Sequence, residues 1–269
     1  MTGLVDNLPL GHLEAGGGSA PPLVLVHGWT GSKEDFADVL PALGEDRRAI
    51  AIDLPGHGDS APGDGEDTYG LWALAGWVLR AADALGVGDF HLLGHSLGGL
   101  IVQRSAAAAS HRLVSLVLMD TGLGALREEG VNHVATVVDT ARTRGMEAAW
   151  IVNSRGPEPP PEHEQRAAFL RRRFVAMAPE VLAGSARGLV TAMPLGAFWR
   201  GIDIPVLVLH GEDDDVWTAA EQRLLARTVL GARHVVIPAA VHSPQVENPA
   251  AWLMTVRGFL ADADATTRR

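Results

Sequence analysis

The sequence predicts an α/β fold in which helices cover both faces of a mostly parallel sheet. Six short runs rich in Val, Ile and Leu are almost continuously apolar, which is typical of strands buried on both faces. They lie at residues 23–26, 49–52, 90–93, 114–119, 205–209 and 234–237. The chain has 269 residues, 47% of them hydrophobic, and this is enough for one large core.

Segments with helical character separate these runs, at 69–85, 100–109, 219–229 and 250–260. The alternation of strand and helix predicts right-handed crossovers between parallel strands. The glycines at 16–18 indicate a hairpin turn that adds antiparallel strands at one edge of the sheet. The polar residues 261–269 are expected to form a frayed tail.

The stretch between the fourth and fifth of these runs, roughly 80 residues, is far longer than a simple crossover requires. Helical segments are predicted within it at 131–144, 162–177 and 179–189, and the proline-rich residues 156–161 form a stiff hinge or corner. We therefore predict a core made of residues 1–120 and 201–269, with residues 121–200 inserted as a helical lid over a pocket. Five apolar side chains of this segment are candidates for lining the pocket: Trp150, Phe169, Phe174, Met193 and Trp199. The alternative is that they pack in the core, as apolar residues of helices more often do.

Composition excludes several classes of function. A net charge of -10 argues against nucleic acid and polyanionic substrates, and the absence of cysteine excludes disulfides, a thiol nucleophile and thiolate metal sites. No leader-like segment or membrane-length apolar run is found, so we expect a cytoplasmic protein without a membrane partner. Residues 121–200 carry ten arginines and eight acidic residues. These arginines are expected on solvated helix faces, the alternative being a pocket mouth that attracts weakly anionic substrates.

A candidate nucleophile lies between the third strand and the following helix. Residues 94–99 read Gly-His-Ser-Leu-Gly-Gly, which is the pattern G-x-S-x-G. In this setting a tight, strained turn lifts the Ser96 hydroxyl clear of the sheet edge. The alternative is a glycine-rich turn that only lets a strand and a helix pack closely.

A serine hydroxyl needs a general base and an acid that orients the base. His242 is the best base, because it follows the last strand and precedes the last helix, whereas His95 is expected to point away from the turn. The acid is assigned to Asp214, after the strand at 205–209, with Asp120 as runner-up. The neighbouring Asp213 and Asp215 suit loop capping or solvent better, although the sequence does not decide among the three adjacent aspartates.

The oxyanion of a tetrahedral intermediate requires backbone donors, commonly one just after the nucleophile and one from an early loop. Leu97 and Trp29 are the candidates, because Trp29 lies in a glycine-flanked loop after the first strand of the core. We predict no metal, since three adjacent aspartates lack the alternating spacing of a calcium loop. No cofactor is predicted either.

Together these motifs resemble the α/β-hydrolase fold superfamily, in its serine esterase and lactonase-like branch. The residues that carry the resemblance, in the family's order, are His27-Gly28-Trp29, residues 53–60 (Asp-Leu-Pro-Gly-His-Gly-Asp-Ser), Gly94 to Gly99, Gly211 to Asp214 and His242. The His-Gly-Trp segment is also similar to cofactor-free haloperoxidases, or perhydrolases. The resemblance implies an eight-stranded sheet, a nucleophile elbow at Ser96 and a lid at 121–200. Val241 and Asp215 depart from the glycine and proline that many relatives have.

The sequence therefore predicts a serine hydrolase that cleaves a small-molecule ester, lactone or thioester through an acyl-serine. A carbon–carbon bond hydrolase or a perhydrolase would use the same triad. A non-catalytic ligand receptor on the same fold is the alternative from another class. The oligomeric state is open.

Overall fold

The computed structural model describes residues 3–154 and 164–267. Its strands are β1 (Gly3–Val5), β2 (Leu8–Leu10), β3 (His12–Ala15), β4 (Ala20–Val26), β5 (Arg47–Ile52), β6 (Phe90–His95), β7 (Leu113–Met119), β8 (Val206–Gly211) and β9 (Arg233–Ile237). Its α-helices are α1 (Leu40–Leu43), α2 (Leu71–Ala84), α3 (Leu97–Ala109), α4 (Glu128–Arg144), α5 (Met146–Asn153), α6 (Glu164–Ala176), α7 (Pro179–Thr191), α8 (Gly196–Trp199), α9 (Ala219–Thr228), α10 (Pro244–Glu247) and α11 (Pro249–Thr267). All six predicted strands are confirmed.

The main sheet has the strand order β3-β5-β4-β6-β7-β8-β9, and every pair except β3 with β5 is parallel. The chain runs outward from β4 to β5 and then returns to β6 on the other side of β4. This reversal of strand order creates a crevice at the carboxyl ends of β4 and β6. The loop after Val26 and the turn after His95 therefore meet at the same edge of the sheet.

The edges of the sheet differ from two predictions. The resemblance implied eight strands, but the described residues form a sheet of seven, because β1 and β2 pair only with each other. An antiparallel edge strand is present, as predicted, but the glycine turn does not join a hairpin: β3 pairs with β5, which separates it from β4. Gly16 has φ +79°, and a Cβ there would lie 2.0 Å from the carbonyl oxygen of Gly44.

Both faces of the sheet are buried, which explains the continuous apolar runs. On β6, Leu92 belongs to the core beneath α2 and α3, whereas the next residue, Leu93, belongs to the core beneath α1 and α11. Side chains alternate across a strand, so a strand covered on both faces needs apolar residues at every position.

Residues 121–200 form helices α4 to α8 in the described part of the chain. The predicted segments at 131–144 and 179–189 correspond to α4 and α7, whereas α5 was not predicted. The proline-rich residues 156–161 and the first two residues of the segment at 162–177 lie outside the described residues, and α6 accounts for most of the rest. Buried residues of α4 and α7, among them Val134 and Leu189, join the core that covers one face of the sheet.

The expected frayed tail is wrong over residues 261–267, because α11 continues to Thr267. Its sequence there, Ala-Asp-Ala-Asp-Ala-Thr-Thr, has three alanines, and alanine is the best helix former. Residues 268 and 269 lie outside the described range. Among the described residues, no helix combines the length and apolar character that a membrane span requires.

Candidate active site

Ser96 occupies a strained turn at the crevice. Its φ of 55° and ψ of -119° lie outside the regions that L-residues favour, and the residue lies between the end of β6 and the start of α3. The turn is held in place by neighbouring backbone: the Ser96 N–H donates to the Met119 carbonyl at 2.9 Å, and the Thr121 hydroxyl donates to the Ser96 carbonyl at 2.9 Å. Surrounding structure that fixes such a conformation is the condition under which strain persists.

Glycines are required around this turn because backbone segments approach closely. A Cβ on Gly98 would lie 2.5 Å from the carbonyl oxygens of both Val26 and His27. A Cβ on Gly94 would lie 2.4 Å from the Gly98 carbonyl oxygen. These contacts bring the start of α3 against the end of β4, and so place Ser96 beside the loop that begins at His27.

The structure brings Ser96, His242 and Asp214 together. His242 lies between β9 and α10, and its Nε2 is 3.1 Å from the Ser96 Oγ. Its Nδ1 is 2.9 Å from Oδ1 of Asp214, in the loop after β8. Ser96 is 7% exposed and Asp214 is 9% exposed, so the two groups that flank the imidazole are largely shielded from water.

Asp214 differs from the adjacent Asp213 and Asp215 in the hydrogen bonds that its carboxylate accepts. The Val216 N–H donates to its Oδ1 at 2.9 Å, and the Gln222 side-chain amide on α9 donates to its Oδ2 at 2.6 Å. Asp213 and Asp215 are exposed. Of the three adjacent aspartates, Asp214 is the one whose carboxylate contacts His242.

Asp120, the runner-up acid, is buried behind Asp214. Its Oδ1 accepts a hydrogen bond of 2.9 Å from the Gly211 N–H, whereas its Oδ2 has no hydrogen-bond partner in the described residues. Burial, and after it the charge of Asp214, raises the pKa of Asp120 well above its ordinary value. Burial thus disfavours the charged form of Asp120, so Asp120 is less suited than Asp214 to stabilising a protonated His242.

A metal ion is a poor fit to this group. Asp120, Asp214 and His242 each offer an atom within 4.8 Å of the others, which is a spacing that a cation could bridge. Both oxygens of Asp214, however, already accept N–H groups, and His242 directs its Nδ1 at one of them. The arrangement fits a hydrogen-bonded acid and base rather than a ligand set.

His95 and Gln222 contact this group, and the sequence did not identify either. His95 Nε2–H donates to the backbone carbonyl of His242 at 2.6 Å, so the ring next to the nucleophile holds the loop that carries the candidate base. Burial, and after it the nearby His242, lowers the pKa of His95 to about 4. No sequence signal distinguishes Gln222, eight positions after Asp214 in an ordinary helix.

The loop after β4 lies against Ser96. The His27 Nδ1–H donates to the Gly28 carbonyl at 2.8 Å, and its Nε2 accepts the Leu54 N–H at 3.1 Å, so both ring nitrogens are used. A Cβ on Gly28 would lie 3.1 Å from the Ser96 Cβ. Trp29 directs its indole N–H to the Leu182 carbonyl on α7, at 3.2 Å. The backbone amides of Trp29 and Leu97 remain the predicted oxyanion donors; Leu97 is the first residue of α3, where helix N–H groups have no intrahelical acceptor.

A cavity of about 520 Å³ opens beside Ser96 and His242. Its apolar lining residues come from the loop after β4, from α4 and α7 and their approaches, and from the loop after β8: Trp29, Leu126, Val134, Leu189 and Val216. None of the five aromatic and methionine side chains predicted for the pocket is among the residues that line it in the described part of the chain. Phe174 of α6 and Trp199 of α8 are buried in the core instead, and Met193, in the loop between α7 and α8, is 74% exposed.

A sequence model of the alpha/beta hydrolase fold matches residues 21–147. Two solved structures align with nearly all of the chain. The enol-lactonase from Burkholderia xenovorans LB400 has a TM-score of 0.85 and 28% identity, covering 97% of this chain and 100% of that one. A hydrolase from Pseudomonas aeruginosa PA01 has a TM-score of 0.79 and 31% identity, covering 97% of each chain.

Among curated proteins, the pimeloyl-[acyl-carrier protein] methyl ester esterase of Aeromonas hydrophila is 28% identical over 256 residues, 90% of this chain and 96% of that protein. The dihydrolipoyllysine-residue acetyltransferase component of the acetoin cleaving system of Pseudomonas putida is 43% identical over 116 residues. That match spans 41% of this chain and only 30% of the Pseudomonas protein.

Proposed function

The chain belongs to the alpha/beta hydrolase fold family, and within it we propose a serine hydrolase that cleaves a small-molecule carboxylic ester, lactone or thioester through an acyl-serine intermediate. The observation that carries this proposal is the position of His242, which contacts Ser96 with one ring nitrogen and Asp214 with the other. This is the geometry that a general base needs.

In the proposed reaction, His242 Nε2 takes the Ser96 proton while Ser96 Oγ attacks the substrate carbonyl. The Asp214 carboxylate accepts Nδ1–H, so it fixes the reactive tautomer and stabilises the imidazolium that forms. The amides of Trp29 and Leu97 bind the oxyanion. His242 then protonates the leaving alcohol or thiol, and a water activated by the same ring releases the acid from Ser96. These steps use only this chain's residues and water.

The similar proteins support ester and lactone carbonyls as targets, since one is an enol-lactonase and another a methyl ester esterase. A binding protein on the same fold would have no physical need for the strain at Ser96, so this strain favours an enzyme over a receptor.

We also propose that residues 121–200 act as the lid of the core formed by 1–120 and 201–269. Leu126, Val134 and Leu189 of this segment line the cavity at Ser96, which supports a role in substrate selection.

The proposal is tested with purified protein on a panel of p-nitrophenyl esters and lactones, together with labelling by a fluorophosphonate. We expect turnover of short esters and labelling at Ser96, both abolished in Ser96→Ala. Ser115→Ala is the matched control, because Ser115 is a buried serine of β7 whose hydroxyl contacts His91 and not His242. No turnover on the whole panel, together with no labelling of Ser96, would contradict the proposal.

A further inference from the structure

We infer that the cavity beside Ser96 selects substrates that carry a positive charge, such as a quaternary or protonated amine, over neutral isosteres and anions. This inference rests on the proposed function and names its substrate class. It comes from the charged groups that line the cavity, which are opposite in sign to the alternative of an anion-attracting mouth formed by the arginines of residues 121–200.

Two carboxylates from the described ranges 3–154 and 164–267 line the cavity. Glu129 lies in the first turn of α4, and Asp215 lies in the loop after β8, next to Asp214. Both side chains are exposed, and neither forms a hydrogen bond or ion pair with another residue in the described part of the chain. Glu129 belongs to the inserted residues 121–200 and Asp215 to the core, and both line the cavity that Ser96 also lines.

Among the described residues, one arginine lines the cavity, and an acid accompanies it. Arg127 Nε is 3.3 Å from Oε2 of Glu221, which also accepts hydrogen bonds from the Thr218 N–H and hydroxyl. The guanidinium and this carboxylate together carry no net charge. The other titratable residues in the described part of the lining are His133 and the candidate base His242. Glu129 and Asp215 therefore leave this part of the wall acidic.

Other arginines of residues 121–200 are engaged away from the cavity. Four of them form ion pairs, namely Arg142 with Glu66, Arg171 with Glu147, Arg173 with Asp35, and Arg187 with Asp67. None of these four lines the cavity at Ser96. Each of these four arginines thus lies against an acid, three of the acids precede β6, and none of the four adds its charge to the mouth of the cavity.

An acidic wall in a cleft raises the local concentration of cations and lowers that of anions, because the low-dielectric walls focus the field. The apolar lining formed by Trp29, Leu126 and Val134 suits the methyl groups of a quaternary ammonium, which is weakly hydrated and packs on aromatic faces. The combination favours a bulky organic cation over a small hydrated one.

The test compares three p-nitrophenyl esters of matched length: the ester of γ-trimethylammoniobutyrate, its neutral tert-butyl isostere, and the mono-ester of glutarate. We expect kcat/KM to be about fivefold higher for the cationic ester than for the neutral one, and lower again for the anionic ester. Glu129→Gln and Asp215→Asn should each reduce this preference by about twofold, which lies within the range for exposed charge pairs. Added salt should reduce the preference in the parent.

Two matched controls separate the cavity from the rest of the surface. Glu128→Gln removes the neighbouring charge from the same first turn of α4, and Asp213→Asn removes the neighbouring charge from the same loop. Neither residue lines the cavity, so both variants should keep the parental preference. A preference that falls equally in the controls would reduce the effect to overall charge and overturn the inference.

Binding to Ser96→Ala, measured by calorimetry with the same three esters, keeps the inference separate from the proposed reaction. If the parent hydrolyses the neutral ester but neither rate nor binding favours the cation, the inference fails and the proposed function stands. If nothing is hydrolysed but the cationic ester binds most tightly and depends on Glu129 and Asp215, the proposed function fails and the charge selection stands.

Discussion

The Gln222 side-chain amide donates a hydrogen bond of 2.6 Å to Oδ2 of Asp214, the oxygen that His242 does not use. This bond and the Val216 N–H fix the orientation of the carboxylate, so they also fix the ring that it contacts. We expect Gln222→Leu to lower kcat about tenfold with little change in KM, since hydrogen bonds to charged groups are worth about 1.5–3 kcal/mol. Steady-state kinetics on an aryl ester measures both constants.

The control for Gln222 is Gln103→Leu, which removes another buried amide hydrogen bond, to the Gly122 carbonyl, without touching Asp214. It should lower the melting temperature, because a buried hydrogen bond is lost. It should keep kcat within about twofold, because the loss of this bond does not reorient the Asp214 carboxylate. Equal losses of kcat in both variants would reduce the role of Gln222 to folding stability.

Substitution of the two candidate acids, Asp214 and Asp120, should have very different effects on kcat. Asp214→Asn should lower kcat by about 10⁴-fold, because an amide cannot hold the reactive tautomer of His242. Asp120→Asn should change kcat by less than about threefold, because burial already disfavours the charged form of Asp120 and an amide keeps an oxygen for the Gly211 N–H. If Asp120→Asn proves as inactive as Asp214→Asn, the acid has been assigned to the wrong residue.

His95 is expected to act as a positioning residue for His242. His95→Leu removes the donor to the His242 carbonyl, so kcat should fall about tenfold while KM stays near the parental value. His95→Gln, whose amide N–H can reach a carbonyl, should recover part of the loss. Parental kcat in the leucine variant would show that the loop holds His242 without this hydrogen bond.

The sequence predicted the six inner strands because each is covered on both faces, which forces a continuous apolar run. It also named the residues that meet at the crevice, since Ser96, Asp214 and His242 each follow such a run. It missed the pairing of β3 with β5, because that pairing is decided by contacts distant in the chain. The roles of His95 and Gln222 were not predicted for a similar reason. His95 meets the His242 carbonyl, and Gln222 meets the Asp214 carboxylate, only when the edge of the sheet is assembled.

Three buried histidines predict how stability depends on pH. Burial lowers the pKa of His27 to about 4, of His57 to about 3 and of His95 to about 4, from 6.5 in the unfolded chain. Between pH 6.5 and about 4 the unfolded state therefore binds more protons, so stability falls as the pH falls, by about 1.4 kcal/mol per pH unit for each histidine. Asp120, whose pKa is raised, acts in the opposite direction but for a single proton.

Urea unfolding at several pH values between 7.5 and 5 measures this dependence. His57→Gln should reduce the slope of unfolding free energy against pH by the contribution of about one proton. The pKa of His57 is the lowest of the three, and its ring contacts neither Ser96 nor His242. A urea midpoint that does not change with pH across this range would mean that these rings are charged in the folded protein.

Two glycine-to-alanine substitutions test the packing that raises Ser96 from the sheet. A Cβ on Gly98 would press on the carbonyl oxygens of Val26 and His27, which are backbone atoms that cannot move aside. Gly98→Ala should therefore destabilise the protein by about 1–3 kcal/mol, and it should lower activity as well, since α3 must shift away from β4 and carries the turn with it.

Gly258 is the matched control, because it is an exposed glycine of α11 with no atom near the position of a Cβ. Gly258→Ala should raise stability by about 0.8 kcal/mol through helix propensity and leave activity unchanged. Equal stability of the two variants would show that the start of α3 has room to adapt and that the turn at Ser96 does not depend on this contact.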